Sequence, residues 1–489
     1  MTSRHMTGSS SRWKNDGKTQ EPTLQVGAAE TTINPQLGMQ IDGNIGAYRP
    51  AQVILNDLFA RAIVFQQGDT RFLLLSLELL AVTQEWTEAI RNFAANELGF
   101  DRDAVAVHTV QNHSSPSMGH IMLSDQFEAT KKHPWIRGSH PDFGPLAMKR
   151  IEPMIRRAVE SLQPARLAFG SALESRISFN RRIVMRDGTA EMGFGHQNRR
   201  HEALYREGPS DPEVGVALFT THTLETVAAL LHHTCHPVHW HPHQAIHSDW
   251  PGAWSAEVRR RLMPSTIPLV LNGCCGNVVH HDVFNPNRED TPESMGRLLT
   301  DAVQEALAGF LTIADNPRLA YKSTRFAIPF RQFPKSIFAA AHELISEYPD
   351  PMWTEDSKTM FEWDWHFAAS LVDLERRLAT EPEYEYEIQA VRLGDLSILV
   401  LPGEPFVDAQ LEIKQRSPAV RTFVAHMSNR YVGYIPTPEA IRRGGYETRP
   451  SNSSKLAPEA LQMIIDKSVA LLEELYETRG LSEDRQSIG

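Results

Sequence analysis

Short apolar segments with strand character alternate with amphipathic helical segments along almost the whole chain. The strand-like segments are β-branched or alternate apolar and polar residues, whereas the helical ones repeat apolar residues at a period of about 3.6. The alternation is broken by no clean linker and no internal repeat. We therefore expect an α/β fold: one large domain over residues 21–489, with a mixed β-sheet core flanked by helices, preceded by a disordered polar tail over residues 1–20.

The pattern predicts strands at 23–32, 60–67, 70–80, 104–110, 165–172, 214–220, 225–235, 267–272, 384–393, 396–401 and 422–425. It predicts helices at 84–98, 145–162, 252–262, 292–310, 337–348, 356–380 and 457–476, and one more that ends near residue 415.

Composition narrows the classes of partner. A net charge of −11 and a pI near 6.0 argue against nucleic acid or an anionic membrane as the main partner. The longest apolar run, 72–82, is too short to span a bilayer, and residues 1–20 lack the apolar region of a signal peptide. Three cysteines cannot form a disulfide framework. We expect a cytoplasmic protein that acts on a small-molecule substrate, and a homo-oligomer remains open.

Seven of the 21 histidines fall within residues 232–249, directly after the predicted strand 225–235. Neutral imidazole is the commonest metal ligand in proteins, although a His-rich tract can also be a solvated loop. Pro237 favours an extended conformation for His236, which makes His236 the histidine most firmly placed by the strand. The histidines after Pro237 are expected to face substrate or solvent.

Polar residues also follow several other predicted strands, and sites in α/β proteins form where such strand ends converge. Strand 104–110 leads to Gln111 and His113, and strand 396–401 leads to Glu404. The same pattern recurs after 267–272, which leads to Cys274, Cys275, His280, His281 and Asp282, and after 422–425, which leads to Asn429, Tyr431 and Tyr434.

In this order the motifs resemble those of the neutral/alkaline (non-lysosomal) ceramidase family, from Val26 to about Ala457. His113-Ser114-Ser115-Pro116 is similar to the family's His-Thr-His-Ser-Gly-Pro loop, and Asn180-Arg181 to its Asn-Arg element. Other similar segments are Cys235-His236-Pro237, Ser248 to Gly252, Gly403-Glu404, Asn429 to Tyr434, Thr437-Pro438-Glu439 and Gly445-Tyr446-Glu447.

The resemblance implies a catalytic domain that binds zinc through two His, one Glu and one Tyr and hydrolyses the amide bond of a sphingolipid. By position, His236, Glu404 and Tyr434 match three of the zinc ligands. The resemblance further matches His113, Arg181 and Tyr446 to active-site residues.

The chain also departs from the family pattern. Gln111 stands where the family has its other zinc-ligating His, and Val279 stands where it has the proposed serine nucleophile. No C-terminal immunoglobulin-like domain or secretion signal is expected. Ceramide is therefore not the expected substrate.

These observations predict a zinc-dependent hydrolase that cleaves an amide bond of a small, non-ceramide molecule with a metal-activated water. Zn²⁺ would be bound by His236, Glu404 and Tyr434, with Gln111, His113, His280 or His281 as the fourth ligand. The alternatives are a metal-dependent esterase, deacetylase or carbohydrate-active enzyme, and a non-catalytic metal-binding protein.

Roles can be assigned to the remaining candidates. His113 is expected to be a general acid or base, and Arg181 or Tyr446 to stabilise an oxyanion. Asp249 either orients a ligating histidine or begins a helix as its N-cap. Free cysteines are usually small buried hydrophobes, and the Trp363–Trp365 segment is expected to pack in the core.

Overall fold

The computed structural model describes residues 22–192, 197–309 and 311–477; the predicted tail over residues 1–20 lies outside them. Its strands are β1 Gln25–Thr32, β2 Val53–Ile54, β3 Phe59–Gln67, β4 Thr70–Leu77, β5 Val105–Thr109, β6 Gln163–Pro164, β7 Arg166–Leu173, β8 Phe179–Asn180, β9 Arg182–Met185, β10 Ala190–Met192, β11 Ala203–Arg206, β12 Glu213–Thr220, β13 Thr226–His233, β14 Ala245–Ile246, β15 Ile267–Asn272, β16 Val278–Val279, β17 Thr312–Ala314, β18 Leu319–Pro329, β19 Glu383–Leu393, β20 Leu396–Val400, β21 Glu404–Pro405, β22 Arg421–Ala425 and β23 Tyr434–Ile435.

The α-helices are α1 Gln84–Leu98, α2 Glu128–Lys132, α3 Phe143–Glu160, α4 Asp249–Arg261, α5 Pro292–Ala308, α6 Lys335–Glu347, α7 Trp363–Thr380, α8 Val407–Arg416, α9 Pro438–Arg443 and α10 Ala460–Glu477. The predicted α/β class is confirmed. No helix within the described ranges is long and apolar enough to cross a membrane.

Three mixed sheets enclose one apolar core. Their strand orders are β5-β4-β3-β1-β6, β15-β13-β12-β7-β17 and β18-β19-β20-β22. Phe65, Phe219 and Ile398, one from each sheet, are fully buried in this shared core. The rings of Phe65 and Phe219 are 5.1 Å apart, which shows how closely the first two sheets pack. The expected mixed β-sheet core is therefore divided among three sheets.

Helices cover the outer faces of the sheets. Apolar residues of α1 and α3 pack on the first sheet, those of α4 and α5 on the second, and those of α8 and α10 on the third. This follows from amphipathic helices burying one apolar stripe each against the available sheet face.

Two departures from the expected elements have a clear physical reason. The helix predicted at 356–380 begins only at Trp363, because Phe361 instead bridges Trp353 in an extended segment. Strand β18 was not predicted at all, and it is an edge strand whose residues are mostly half-buried or exposed.

The carboxyl ends of three strands, one from each sheet, meet at His108. Its Nδ1 lies 2.6 Å from the carbonyl oxygen of His426, which only accepts, so Nδ1 carries the proton. The backbone N–H of Asn272 donates to His108 Nε2 at 3.1 Å. Burial lowers the pKa of His108 to about 4, so the ring is neutral. One imidazole therefore connects β5, β15 and the segment after β22.

Candidate metal-binding cleft

A cleft opens beside these strand ends. It is lined by polar side chains that follow β5, β20 and β22 and by residues from loops and α7: Gln111, His113, Glu404, Tyr431, Tyr434 and Tyr446, with Gly43, Ile45, Leu80, Ile121, Met122, His366, Ser370, Met427, Asn452 and Ser453. The structure brings seven predicted site residues together here, and five of them line the cleft directly: Gln111, His113, Glu404, Tyr434 and Tyr446. His236 and Arg181 are buried behind Glu404 and Tyr434 and contact them.

His236 presents an unprotonated nitrogen to Glu404. Its Nδ1 lies 2.5 Å from the carbonyl oxygen of Cys275 and 3.1 Å from that of Val278, so Nδ1 donates and Nε2 holds a lone pair. Nε2 is buried, has no hydrogen-bond partner and lies 3.4 Å from Glu404 Oε2. Burial, and next the charge of Arg181, lower the pKa of His236, which disfavours a proton on Nε2 between the ring and Glu404.

This pair fits a zinc ion. Tetrahedral zinc with bonds of about 2.0–2.1 Å holds its ligand atoms about 3.3–3.4 Å apart. A lone pair and a carboxylate oxygen at that spacing, without a donor between them, have the separation of two adjacent ligands of such an ion. The backbone carbonyls that fix the His236 tautomer complete the usual arrangement of a ligating histidine.

Gln111 contacts the carboxylate of Glu404. Its Nε2 donates to Glu404 Oε2 at 2.5 Å, and its Oε1 lies 3.2 Å from Cys275 Sγ. Gln111 has φ 65°, a left-handed conformation that turns the chain sharply after β5. In this orientation its amide oxygen points to the thiol, and its role as a fourth ligand stays a prediction.

Tyr434 is held beside Glu404 by backbone pairing. The short strands β21 and β23 are parallel and place these two residues opposite each other. Gly403 and Gly433, with φ 74° and 91°, precede them and allow the backbones to approach. Tyr431 adds a hydroxyl 3.4 Å from Glu404 Oε1. Burial, then the charge of Glu404, raise the pKa of Tyr434, so Tyr434 keeps its phenol proton.

Arg181 supplies positive charge next to Tyr434. Its Nη2 donates to the Tyr434 hydroxyl at 3.1 Å, and its Nε donates to Glu447 Oε1 at 2.8 Å. Burial would lower the pKa of Arg181, but Tyr434 and Glu447 outweigh it and keep the guanidinium charged. The ring of Tyr446 lies 5.8 Å from that of Tyr434, and burial raises the pKa of Tyr446 to about 12. Two donors thus converge on the same part of the cleft.

His113 lies across the cleft from His236, with 5.6 Å between the ring centres. Its Nδ1 donates to the carbonyl of Gly43 at 2.9 Å, and its buried Nε2 has no hydrogen-bond partner. Burial, followed by the charge of His236, holds the pKa of His113 well below 6.5. His113 is therefore a neutral acceptor, and its catalytic role stays a prediction.

Val279 and the cysteines offer no activated nucleophile. Val279 pairs with His236 in a parallel bridge and is buried. Cys274 and Cys275 are fully buried, and burial raises the pKa of both thiols. Their expected role as small buried residues agrees with this environment.

Several histidines of the His-rich run lie elsewhere. His232 stacks on Phe423 with ring centres 5.0 Å apart, and His233 Nδ1 donates to the carbonyl of Glu213, so both are core residues. His280 and His281 line no part of the cleft; both face Asp290. His239 was expected to face substrate or solvent, but it does not face solvent. Its side chain is only 3% exposed and contacts Asp249.

The structure also adds cleft residues that sequence patterns did not single out. His366 and Ser370 come from α7, and Asn452 and Ser453 from the loop before α10. No local motif marks these four positions, because they reach the cleft only through long-range packing. Trp363 lies beside Tyr446, with ring centres 5.6 Å apart, while Trp365 is buried in the core as expected.

Two solved structures share this fold. One is the neutral ceramidase from Pseudomonas aeruginosa, with a TM-score of 0.67, 16% identity, and coverage of 96% of this chain and 77% of that chain. The other is a ceramidase complexed with C2, with a TM-score of 0.65, 16% identity and the same coverages. No protein-family model and no curated protein sequence matches the chain. The chain therefore has a neutral-ceramidase-like fold, as its motif order predicted.

Proposed function

We propose that this protein is a zinc-dependent hydrolase that cleaves an amide bond in a small molecule. The observation that supports it most directly is the bare Nε2 of His236, which faces Glu404 Oε2 at 3.4 Å with no donor between them. The likeness in fold to neutral ceramidases supports an amide as the scissile bond.

His236, Glu404 and Tyr434 would hold the ion, and Gln111 would keep Glu404 oriented through its 2.5 Å hydrogen bond. A zinc ion there acts as a Lewis acid on a carbonyl group and makes water a nucleophile near neutral pH. Because water serves as the nucleophile, a valine at position 279 is compatible with hydrolysis.

The protein's own donors stabilise the charge that develops during attack. Arg181 is held on Glu447 and reaches the Tyr434 hydroxyl, so its charge is fixed at the edge of the cleft before substrate binds. Tyr446 keeps its phenol proton and can donate to an oxyanion. His113 offers its free Nε2 as the acceptor of a proton or of a substrate N–H.

The size of the cleft favours a short acyl group. The cavity has a volume of about 70 Å³, whereas sites for drug-sized ligands measure about 300–1,000 Å³. Its walls combine Ile45, Leu80 and Ile121 with polar groups, which suits a small acyl chain beside a polar amide. A longer acyl chain would have to extend into the adjoining surface groove of about 620 Å³, which shares Ile121, Met122, Tyr431 and Asn452 with the cavity.

A substrate panel tests the proposal. The zinc-loaded chain is assayed on N-acetyl, N-hexanoyl and N-palmitoyl amides and on the matching O-acyl esters, with bound zinc measured in parallel. We expect hydrolysis of the short amides, and loss of both that activity and one zinc ion per chain in His236→Ala and Glu404→Gln. His342→Ala, which changes an exposed histidine of α6 paired with Glu375, is the matched control. Full zinc content in His236→Ala, or activity confined to esters, would contradict the proposal.

A further inference from the structure

A second group of metal-ligating side chains lies outside the cleft. Within the described residues, His239, His280 and Asp290 form the one group of three or more His, Cys, Asp or Glu whose ligand atoms all lie within 4.8 Å of one another. The group joins the loop after β13 to the segment after β16. None of the three lines the cleft around Glu404.

Asp249 fixes the tautomer of His239. His239 Nδ1 lies 2.6 Å from Asp249 Oδ1, and the backbone N–H of His239 donates to Asp249 Oδ2 at 2.9 Å. Asp249 is fully buried and has φ 51°, a strained conformation for a non-glycine residue. A buried carboxylate on one ring nitrogen is the usual partner of a metal-ligating histidine, whose other nitrogen then bears the lone pair.

The Nε2 atoms of both histidines are buried and have no hydrogen-bond partner. Their side chains are 3% and 8% exposed. The two rings stack with centres 3.5 Å apart and planes 15° apart. Burial lowers the pKa of His239, but Asp249 and Asp290 outweigh it and raise that pKa to about 9, so a proton occupies Nε2 when no metal ion competes for it. A divalent cation between the two Nε2 atoms would replace that proton.

The carboxylate completes the group. Asp290 Oδ1 lies 3.4 Å from His239 Nε2, the same ligand spacing as that between His236 and Glu404. Asp290 also accepts from His280 Nδ1 at 2.9 Å and from Arg288 at 2.8 Å. Asp249 and Asp290 place two negative charges around the histidines, and Arg288 offsets one of them.

We propose that His239, His280 and Asp290 bind a second divalent transition-metal ion, with Asp249 orienting His239. Imidazole and carboxylate together suit zinc and its neighbours such as Co²⁺ rather than the hard ions Mg²⁺ or Ca²⁺. The ion joins the two segments that flank His236, since Val279 bridges His236 directly before His280 begins the second segment. The ion therefore stabilises the arrangement of these two segments behind the cleft.

Cobalt binding tests this site independently of any reaction. The metal-free full-length chain is titrated with Co²⁺, with bound ions counted after dialysis and visible absorption recorded. We expect two ions per wild-type chain, one in Asp290→Asn and in His280→Ala, one in His236→Ala, and none in His236→Ala/His280→Ala. His342→Ala serves as the control and keeps two.

The outcomes separate the two sites. If the wild type binds a single ion that persists in His236→Ala and is lost in Asp290→Asn, the second site is supported and the zinc site of the proposed hydrolase is contradicted. Wild-type stoichiometry in both Asp290→Asn and His280→Ala overturns the second site. Asp290→Asn is nearly isosteric at a side chain that is 21% exposed, so it decides the matter if His280→Ala fails to fold. A Co²⁺ anomalous-difference peak among the three side chains in wild-type crystals is the expected direct observation, and its absence from fully loaded crystals also overturns the proposal.

Discussion

In the proposed zinc site, Gln111 is a position where a stronger ligand would be expected to raise affinity. Its φ of 65° is a conformation in which histidine is also found, so an imidazole can occupy the same backbone position. We expect Gln111→His to supply a further nitrogen ligand beside Glu404 and to lower the dissociation constant for Zn²⁺ by about 10-fold or more, or about 1.4 kcal/mol. Competition with a chromophoric chelator measures it.

Gln111→Leu is the matched control for this substitution. Leucine removes the amide that donates to Glu404 at 2.5 Å and adds no ligand, so zinc binding should not tighten. Equal affinities for Gln111→His and Gln111→Leu would show that position 111 does not face the ion.

Lys455 makes the stability of the fold depend on pH. The ammonium is buried, hydrogen-bonds to the carbonyls of Val432 and Asn452, and lies 5.4 Å from the centre of the Tyr384 ring. Burial, with Arg377 next, lowers the pKa of Lys455 to about 7. The unfolded chain has a Lys pKa of about 10.4, so between pH 7 and 10.4 it binds more protons than the folded chain. Stability therefore rises with pH in this window, and the unfavourable contribution of Lys455 is complete below pH 7.

We expect Lys455→Met to remove this slope. Relative to the variant, the wild type should gain up to about 2–3 kcal/mol of unfolding free energy from pH 7 to pH 9. Urea unfolding at the two pH values measures the difference. Lys322→Met, at a lysine with a 47% exposed side chain, is the control and should keep the wild-type slope.

Single residues also show what the sequence could and could not predict of the site. His236 was predictable because Pro237 and the preceding strand restrict it, and Glu404 and Tyr434 because motif order places them. Asp290 carried no signal: it stands in a charged turn and meets His239 only through the fold. The same holds for His239, which looked like a loop residue and is buried by Asp249.

The parallel pair β21 and β23 is the element that brings two candidate ligands together. A Cβ on Gly433 would lie 2.4 Å from the carbonyl oxygen of Ser453, and that oxygen accepts the backbone N–H of Tyr434. We expect Gly433→Ala to cost about 2–4 kcal/mol of stability and to weaken zinc binding, because Tyr434 must shift. Thermal unfolding and zinc titration measure the two effects.

Gly188→Ala separates this clash from backbone strain. Gly188 has a similar φ of 85°, but its Cβ would meet nothing within 4 Å. This variant should lose only about 1–2 kcal/mol and bind zinc as the wild type does. If both glycine variants behave alike, steric contact with Ser453 is not what positions Tyr434.

Elements with complete local signals were predicted well, and elements without them were not. Helix α1 matched the prediction because its amphipathic pattern ends at Gly99, a left-handed C-cap with φ 73°. Strand β18 was missed because Lys322, Ser323, Thr324 and Arg325 give it no apolar alternation. It is a strand because all eleven of its residues pair with β19.

At the scale of the molecule, Glu387 ties the first sheet to the third. It lies on β19, receives a 2.9 Å hydrogen bond from Arg91 of α1, and also contacts Arg325 and Asn429. Both Arg91 and Glu387 are buried, and breaking a buried pair strands the remaining charge. Arg91 keeps Glu88 as a second partner, which reduces the cost of losing the charge of Glu387. We therefore expect Glu387→Gln to lower the unfolding free energy, measured in urea, by about 2–4 kcal/mol.

Glu385→Gln is the control on the same strand. Its side chain is 63% exposed and 3.8 Å from Arg430, and the change should cost about 0.5 kcal/mol or less. A loss of stability in Glu387→Gln no larger than in Glu385→Gln would mean that the Arg91–Glu387 pair does not hold the two sheets together.

The α/β class and the motif order were predictable, whereas the division into three sheets was not. Strand pairing such as β1 with β6 or β18 with β19 joins segments that are far apart in sequence, and apolar runs carry no mark of their partner. His108 illustrates the difficulty, because it lies within an apolar strand and its contacts with Asn272 and His426 arise only after all three sheets assemble.

The cleft draws its two kinds of lining residue from different parts of the chain. Gln111, Glu404 and Tyr434 are anchored to the sheets, while Met122, His366 and Asn452 come from loops and α7. Ion affinity and substrate choice can therefore evolve separately. If the proposed metal centre forms, exchange of the loop and helix residues offers a route to new substrates without change to the centre, which makes this scaffold a starting point for laboratory selection.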